Sequence, residues 1–251
     1  MVTGMCGRYF RHTPREELAA AFRAELGSSL EPAYNVAPGQ AVLAVRFHEK
    51  TGERTLDDLR WGLVPFFAKD AKVAWKTINA RAETVDTAAS YRNAFLKRRC
   101  LIVADGFFEW KAEGKTKTPY AIALASGKPF ALAGLWEAWR DPASGAWLRS
   151  CAIVTTEANA TVGQIHDRMP VILDEQDHAR WLGEVSAEAG ELKQLLAPYR
   201  GELVMWPVSA RMNKGEVEGP EVIERVEPEQ DPARRKPVKG KSGKGGQGEL
   251  F

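Results

Sequence analysis

The middle of the chain constrains the fold most. Between residues 100 and 155, short apolar runs follow one another with turn signals between them and no helical pattern. Residues 100–110 read as a strand interrupted at Asp105-Gly106, 111–117 as a polar hairpin turn, and 119–124 as the return strand. Residues 130–139 and 148–155 are two further strands around the Asp141-Pro142 turn. Strands that succeed one another without intervening helices lack the crossovers a parallel sheet needs, so they pair antiparallel.

The flanks add helices around this block. Residues 6–11 read as a first strand, and Thr13-Pro14-Arg15-Glu16 reads as a capping box with Pro at the first helical position. The helix it opens carries Leu18, Phe22 and Leu26 and stops at Gly27. Strands are expected over 41–47 and 59–67, with a hairpin turn at 50–53, and a helix from about residue 87 to 98. Two helices near 175–182 and 188–196 precede a last short strand at 204–208. The sum is an α+β fold: a largely antiparallel sheet or open barrel, roughly eight to ten strands, with helices outside. The expected division is a leader over residues 1–5 that is absent from the mature protein, one catalytic and DNA-binding domain over 6–226, and a tail over 227–251.

That tail is basic, carries almost no apolar residue between 232 and 248, and is expected to be disordered. The whole chain is nearly balanced, with a net charge of only +2, so any nucleic-acid site is a local patch rather than a global field. Three widely spaced cysteines argue against a disulfide framework and suit a reducing compartment. There is no CxxC, HExxH, P-loop or GxGxxG motif, and no apolar run approaches the length of a membrane span. The expectation is a cytoplasmic, nucleoid-associated monomer with no metal, no cofactor and no membrane contact.

Four stretches place reactive or polar groups in apolar surroundings. Met5-Cys6 would, on loss of the Met, leave a cysteine with a free α-amine, two nucleophiles on adjacent carbons that together close a thiazolidine on an aldehyde. The same residue also fits a small buried cysteine in a first strand. Asn79 and Arg81 share one face if residues 78–83 are extended, with Glu83 behind them. Glu109, walled by Phe107, Phe108 and Trp110, is either a desolvated proton carrier or a strand-end acid in solvent. His166 is either a proton shuttle with Arg168 on its side or a satisfied structural histidine. His12, His48 and His178 sit among polar neighbours and read as surface residues. Aromatic and basic residues interleave at Trp61, Phe66, Phe67, Lys69, Lys72, Trp75, Lys76 and Arg81, a mixture suited to single-stranded nucleic acid and equally to a core strand with its solvated loop.

Six segments in order resemble the SOS response-associated peptidase (SRAP) family of abasic-site shielding proteins. They are Met5-Cys6-Gly7-Arg8-Tyr9, Tyr34-Asn35-Val36-Ala37-Pro38, Arg60-Trp61-Gly62-Leu63-Val64-Pro65, Ile78-Asn79-Ala80-Arg81-Ala82-Glu83-Thr84, Ala104-Asp105-Gly106-Phe107-Phe108-Glu109-Trp110-Lys111 and Ile165-His166-Asp167-Arg168-Met169-Pro170. The resemblance implies a cleft for single-stranded DNA in which an N-terminal cysteine captures the ring-opened aldehyde of an abasic site. It makes Cys6 the nucleophile, with Asn79 positioning it and the sugar, Glu109 assisting ring opening and His166 moving protons. Arg81 and Arg168 become DNA contacts, with Arg8, Trp61, Phe66, Phe67 and Trp110 near them. The Gln247-x-x-Leu250-Phe251 end resembles the short peptide by which bacterial replication proteins bind the sliding clamp. Two other readings stand beside this one: an autoprotease or peptidase using Cys6 with Glu109 and His166, and a single-strand binder without chemistry.

Overall fold

The structure, a computed structural model, describes residues 6–114, 116–214, 217–227 and 231. In chain order its elements are β1 (Tyr9–Arg11), α1 (Arg15–Ala21), β2 (Glu25–Leu26), β3 (Ala33–Val36), β4 (Ala41–His48), β5 (Glu53–Trp61), β6 (Asn79–Arg81), α2 (Arg92–Lys97), β7 (Arg99–Ala104) and β8 (Gly106–Glu113). There follow β9 (Thr116–Leu124), β10 (Phe130–Arg140), β11 (Trp147–Glu157), β12 (Arg168–Pro170), β13 (Ile172–Leu173), α3 (His178–Leu182), α4 (Ala189–Gln194) and β14 (Leu203–Pro207). The expected α+β class, strand-rich with flanking helices, is what forms.

The strands close into a barrel. β11 pairs antiparallel with β10, β10 with β7, β7 with β4 and β4 with β5. β5 then returns parallel to β11 through Arg60–Ser150 and Trp61–Cys151. Beyond that point β6 takes over the place of β5, setting Asn79 beside Ile153 and Arg81 beside Thr155. On the opposite edge β12 sets Arg168 beside Glu157. The far end of β11 therefore carries a basic residue on each side. A second sheet, β14-β9-β8-β1-β3, holds β1 and β8 side by side, with Tyr9 opposite Phe107.

Alternating side chains sort the barrel's apolar residues into two cores. One set, including Leu43, Leu101, Ala133 and Val154, packs with Leu18, Phe95, Trp181 and Leu192 of the helices. The other, including Ala44, Ile102, Leu132 and Ile153, packs with Cys6, Tyr9, Phe107 and Ile122 of the second sheet. Trp61 belongs to this second core: it is 1% exposed, tilted against Tyr9 at 5.6 Å, and donates its indole N–H to the Ile78 carbonyl at 2.9 Å. That corrects the expectation of Trp61 as a DNA-stacking ring, because its faces are already covered.

Several local expectations also change. Thr13 forms no capping box; its hydroxyl donates to Asp105 instead, and the Asp105 carboxylate also accepts the His12 and Thr13 amides at 2.7 and 2.9 Å. A buried carboxylate offering several acceptor sites outcompetes a helix end here. α1 ends at Ala21, and Leu26 lies instead in β2, parallel to β5 and exposed. The helix expected over 87–98 shortens to α2 at Arg92–Lys97. His178 is buried rather than on the surface, stacked on Phe22 with Nε2 3.3 Å from the Leu173 carbonyl oxygen. The break at Asp105-Gly106 has a steric cause: a Cβ on Gly106 would lie 2.0 Å from Phe10 Cζ. Contacts of the folded unit reach Asp231, whose carboxylate accepts the Ser209 hydroxyl and the Ala210 amide.

Candidate active site

The second sheet brings Cys6, just ahead of β1, against Glu109 of β8. The Cys6 backbone nitrogen donates to Glu109 Oε1 at 2.7 Å, across 103 residues of sequence. Cys6 holds φ at 29°, a left-handed conformation seldom adopted by a residue with a side chain, and it is fully buried. Burial, with the neighbouring Glu109 charge, pushes its thiol well above the ordinary value. Burial also pushes the Glu109 carboxyl up to about 8. The Cys6 and Trp110 amides pull it back, Asp167 adds to the rise, and Lys117 opposes it. Glu109 is thus largely protonated near neutrality, able to give a proton as well as take one. Glu109 is 2% exposed, so it is not the solvent-facing strand-end acid that the sequence also allowed.

Asn79 completes this inner group. Its amide nitrogen stands 3.4 Å from the Cys6 carbonyl oxygen, and the Tyr91 hydroxyl holds the Asn79 carbonyl at 2.8 Å. Tyr91 lay inside the expected helix over 87–98 and carried no signal of this role. Outward from Asn79, Arg81 is exposed, and with Glu157, Gly163, His166, Asp167 and Arg168 it lines an open cleft of about 770 Å³.

At His166 the Nδ1 atom accepts the Arg168 amide at 3.0 Å and stands 3.2 Å from Asp167 Oδ1. Nδ1 also lies 3.3 Å from the Arg168 carbonyl oxygen, so residues 166–168 hold the ring through this nitrogen in either tautomer. Arg168, expected as a DNA contact, lines the same cleft. Its guanidinium is forked onto Glu83, Nη1 to Oε1 at 2.5 Å and Nη2 to Oε2 at 3.0 Å, and also donates to the Thr155 carbonyl at 2.8 Å. The hydrogen bond from Arg168 holds the Glu83 carboxyl below its usual range. Arg168 is a cleft wall already neutralised by an acid; Arg81 is the exposed cation of the pair. Lys193 in turn pins Asp86 and the Glu83 carbonyl, fixing the segment that carries the acid.

The remaining candidates spread around this centre. Arg8 donates Nη1 to Asn35 Oδ1 at 2.8 Å, and the Asn35 amide is tied to the Met212 carbonyl. Trp110 donates its indole N–H to Asn213 at 2.9 Å. Phe66 and Phe67 are 56% and 55% exposed and meet edge to face at 5.3 Å, on the segment joining β5 to β6. Trp75 on the same segment is equally exposed, with the Arg60 guanidinium 5.9 Å from its ring. Gln247, Leu250, Phe251 and the leader lie outside the described residues.

The class defined by these features is a strand-rich barrel domain with a second sheet, a buried cysteine whose nitrogen faces a buried carboxyl, and an open cleft lined by Arg81 and Arg168. The chain belongs to the family described as SOS response associated peptidase (SRAP), which it matches over residues 5–215. It is 40% identical over 225 residues to "Abasic site processing protein YoqW" of Bacillus subtilis, covering 88% of this chain and 99% of that one. It is 32% identical over 225 residues to "Abasic site processing protein HMCES" of Gallus gallus, covering 78% of this chain and 67% of the relative. The fold is also that of a solved structure of a protein from Bacteroides thetaiotaomicron, with a TM-score of 0.82 at 25% identity, over 88% of this chain and all of the other.

Proposed function

We propose that this protein acts on abasic sites in single-stranded DNA and captures the lesion covalently through Cys6. The carrying observation is the Cys6 nitrogen 2.7 Å from the buried Glu109 carboxyl, whose burial favours the protonated form. In the chain as given that nitrogen is an amide. Once Met5 is removed it is an α-amine in reach of the same acid. The amine adds to the aldehyde carbon of the ring-opened sugar, the carbinolamine loses water to give an imine, and the thiol adds to the imine carbon. A carbon–nitrogen and a carbon–sulfur bond form, one water leaves, and the thiol proton ends on nitrogen. Glu109 protonates the departing oxygen and takes the proton the attacking amine releases; His166 moves protons at the cleft wall. Asn79 fixes the Cys6 main chain, Arg81 meets phosphate, and Phe66 and Phe67 stack unpaired bases. The names of the relatives support abasic DNA as the substrate. The terminal Gln247, Leu250 and Phe251 serve, in this reading, as a sliding-clamp peptide.

The test compares protein started at Met5, the full 251-residue chain and Cys6→Ala with single-stranded DNA bearing one abasic site, on a denaturing gel. A retarded band is expected only where Cys6 becomes terminal. A band of equal strength from Cys6→Ala would refute the mechanism. One observation favours a second reading, self-removal of the leader: Glu109 is placed to protonate the Cys6 nitrogen as it leaves an acyl group. Full-length Cys6→Ala that keeps residues 1–5 where the parent loses them would support it.

A further inference from the structure

We propose that the β10–β11 hairpin is a second contact for the DNA strand, taking nucleotides that leave the cleft; this rests on the single-stranded DNA reading above. Trp147 is 69% exposed, more than any other large apolar residue among those described. Its register partner across the hairpin is Arg140, and Arg149 lies two residues on along β11, on the same face and exposed. A ring flanked by two guanidinium groups is the composition that binds a strand without reading its sequence: bases stack on the ring while phosphates meet the cations.

The charges nearby leave those cations available. Among the described residues, Arg140 gives its Nε to the Gly145 carbonyl of its own turn. Asp141, the acid at that turn, is occupied by the Ala143 amide and the Ser144 hydroxyl, and Glu137 is paired with Arg98.

The hairpin is also joined to the exposed aromatic segment between β5 and β6. Trp139 and Leu148 on its other face pack with Val64, Ala68 and Ala74, and the Trp139 indole donates to the Ala68 carbonyl at 2.8 Å. The segment bearing Phe66 and Phe67 therefore rests on the strands that end in Arg140 and Trp147. From Thr155, beside Arg81, back to Trp147 is eight residues of β11. At about 3.3 Å per residue that is roughly 26 Å, or about eight stacked nucleotides.

Two lengths of unmodified single-stranded DNA separate this contact from the cleft. One is about five nucleotides, too short to span both, and one is about twenty. Affinities of the full chain, Trp147→Ala, Trp147→Phe and Arg149→Ala are measured by fluorescence anisotropy across a salt series. Trp147→Ala should weaken the long strand about tenfold and the short one not at all, with Phe restoring most of the loss. Arg149→Ala should lower the salt slope on the long strand by roughly 0.7. Equal loss at both lengths, or none at either, overturns the proposal; loss at neither would leave the hairpin to a protein partner. Failure of the parent chain to bind either length would instead overturn the DNA reading itself.

Discussion

Glu109 makes the stability of this protein depend on pH in a direction opposite to that of most carboxylates. Its folded carboxyl titrates at about 8 against an ordinary value of 4.5. The folded state thus keeps a proton the unfolded chain gives up, so stability is complete below pH 4.5 and is lost as pH rises toward 8. At about 1.4 kcal/mol per pH decade, the interval sets a ceiling of about 5 kcal/mol, with roughly 3 kcal/mol already lost at pH 7. Glu109→Gln copies the protonated acid and still offers an oxygen to the Cys6 amide, so it should remove this slope. Urea unfolding of the full chain and of Glu109→Gln, read every half unit from pH 5 to 8, isolates the effect, because the Cys6 thiol titrates above that window in both states. The two should agree near pH 5 and diverge steadily, with the variant the more stable at pH 8. Parallel curves would mean that Glu109 is solvated and not the proton reservoir described above.

Three further outcomes follow from the geometry. Arg81→Ala should weaken single-stranded DNA binding and reduce the salt slope by roughly 0.7, as loss of one phosphate contact does; an unchanged slope would remove Arg81 from the DNA path. Phe66→Ala should cost about 1–3 kcal/mol of single-strand affinity with the thermal midpoint of the free protein nearly unchanged, since the ring is already in solvent. Gly106→Ala should destabilise by about 1–3 kcal/mol or more in calorimetry, because its methyl collides with the Phe10 ring and the Ile122 carbonyl; a wild-type midpoint would contradict the β1–β8 register.

The sequence was most legible where its pattern answered to one physical cause. The run of strands from residue 100 to 155 needed only alternation and turns, and the chain forms β7 to β11 there. Glu109 was legible because three aromatic neighbours announce desolvation. What escaped was decided across the fold. Trp61 looked like a stacking ring among basic residues, yet Tyr9 from another sheet covers it. Arg168 was expected as a DNA contact, and nothing in a local window reveals that Glu83, 85 residues away, pairs with it. The Thr13 cap failed to form because Asp105, 92 residues on, is the better acceptor for its hydroxyl. Closure of the barrel through the parallel β5–β11 pair left no local trace, since the pair joins strands far apart in sequence.

The proximity of Cys6 and Glu109 means that removing the leader changes the titration of both groups. With an amide nitrogen, Glu109 faces a neutral donor and holds its proton to about pH 8. A free α-amine, ordinarily titrating near 7.7–8, places a second titratable group at the same distance. Ammonium and carboxylate stabilise one another, so the proton shifts toward nitrogen and the two groups titrate as a pair with two apparent pKa values. Crosslinking needs the amine neutral to attack and an acid to expel water, a requirement met best when the pair holds a single proton. The rate for protein begun at Met5 should therefore follow a bell in pH. In Glu109→Gln the carboxyl is gone, the amine alone titrates, and the rate should rise through one inflection to a plateau at a lower maximum. Rates from single-turnover gels between pH 5 and 9 decide this; a bell that persists unchanged in Glu109→Gln would show that Glu109 is not the acid that expels water.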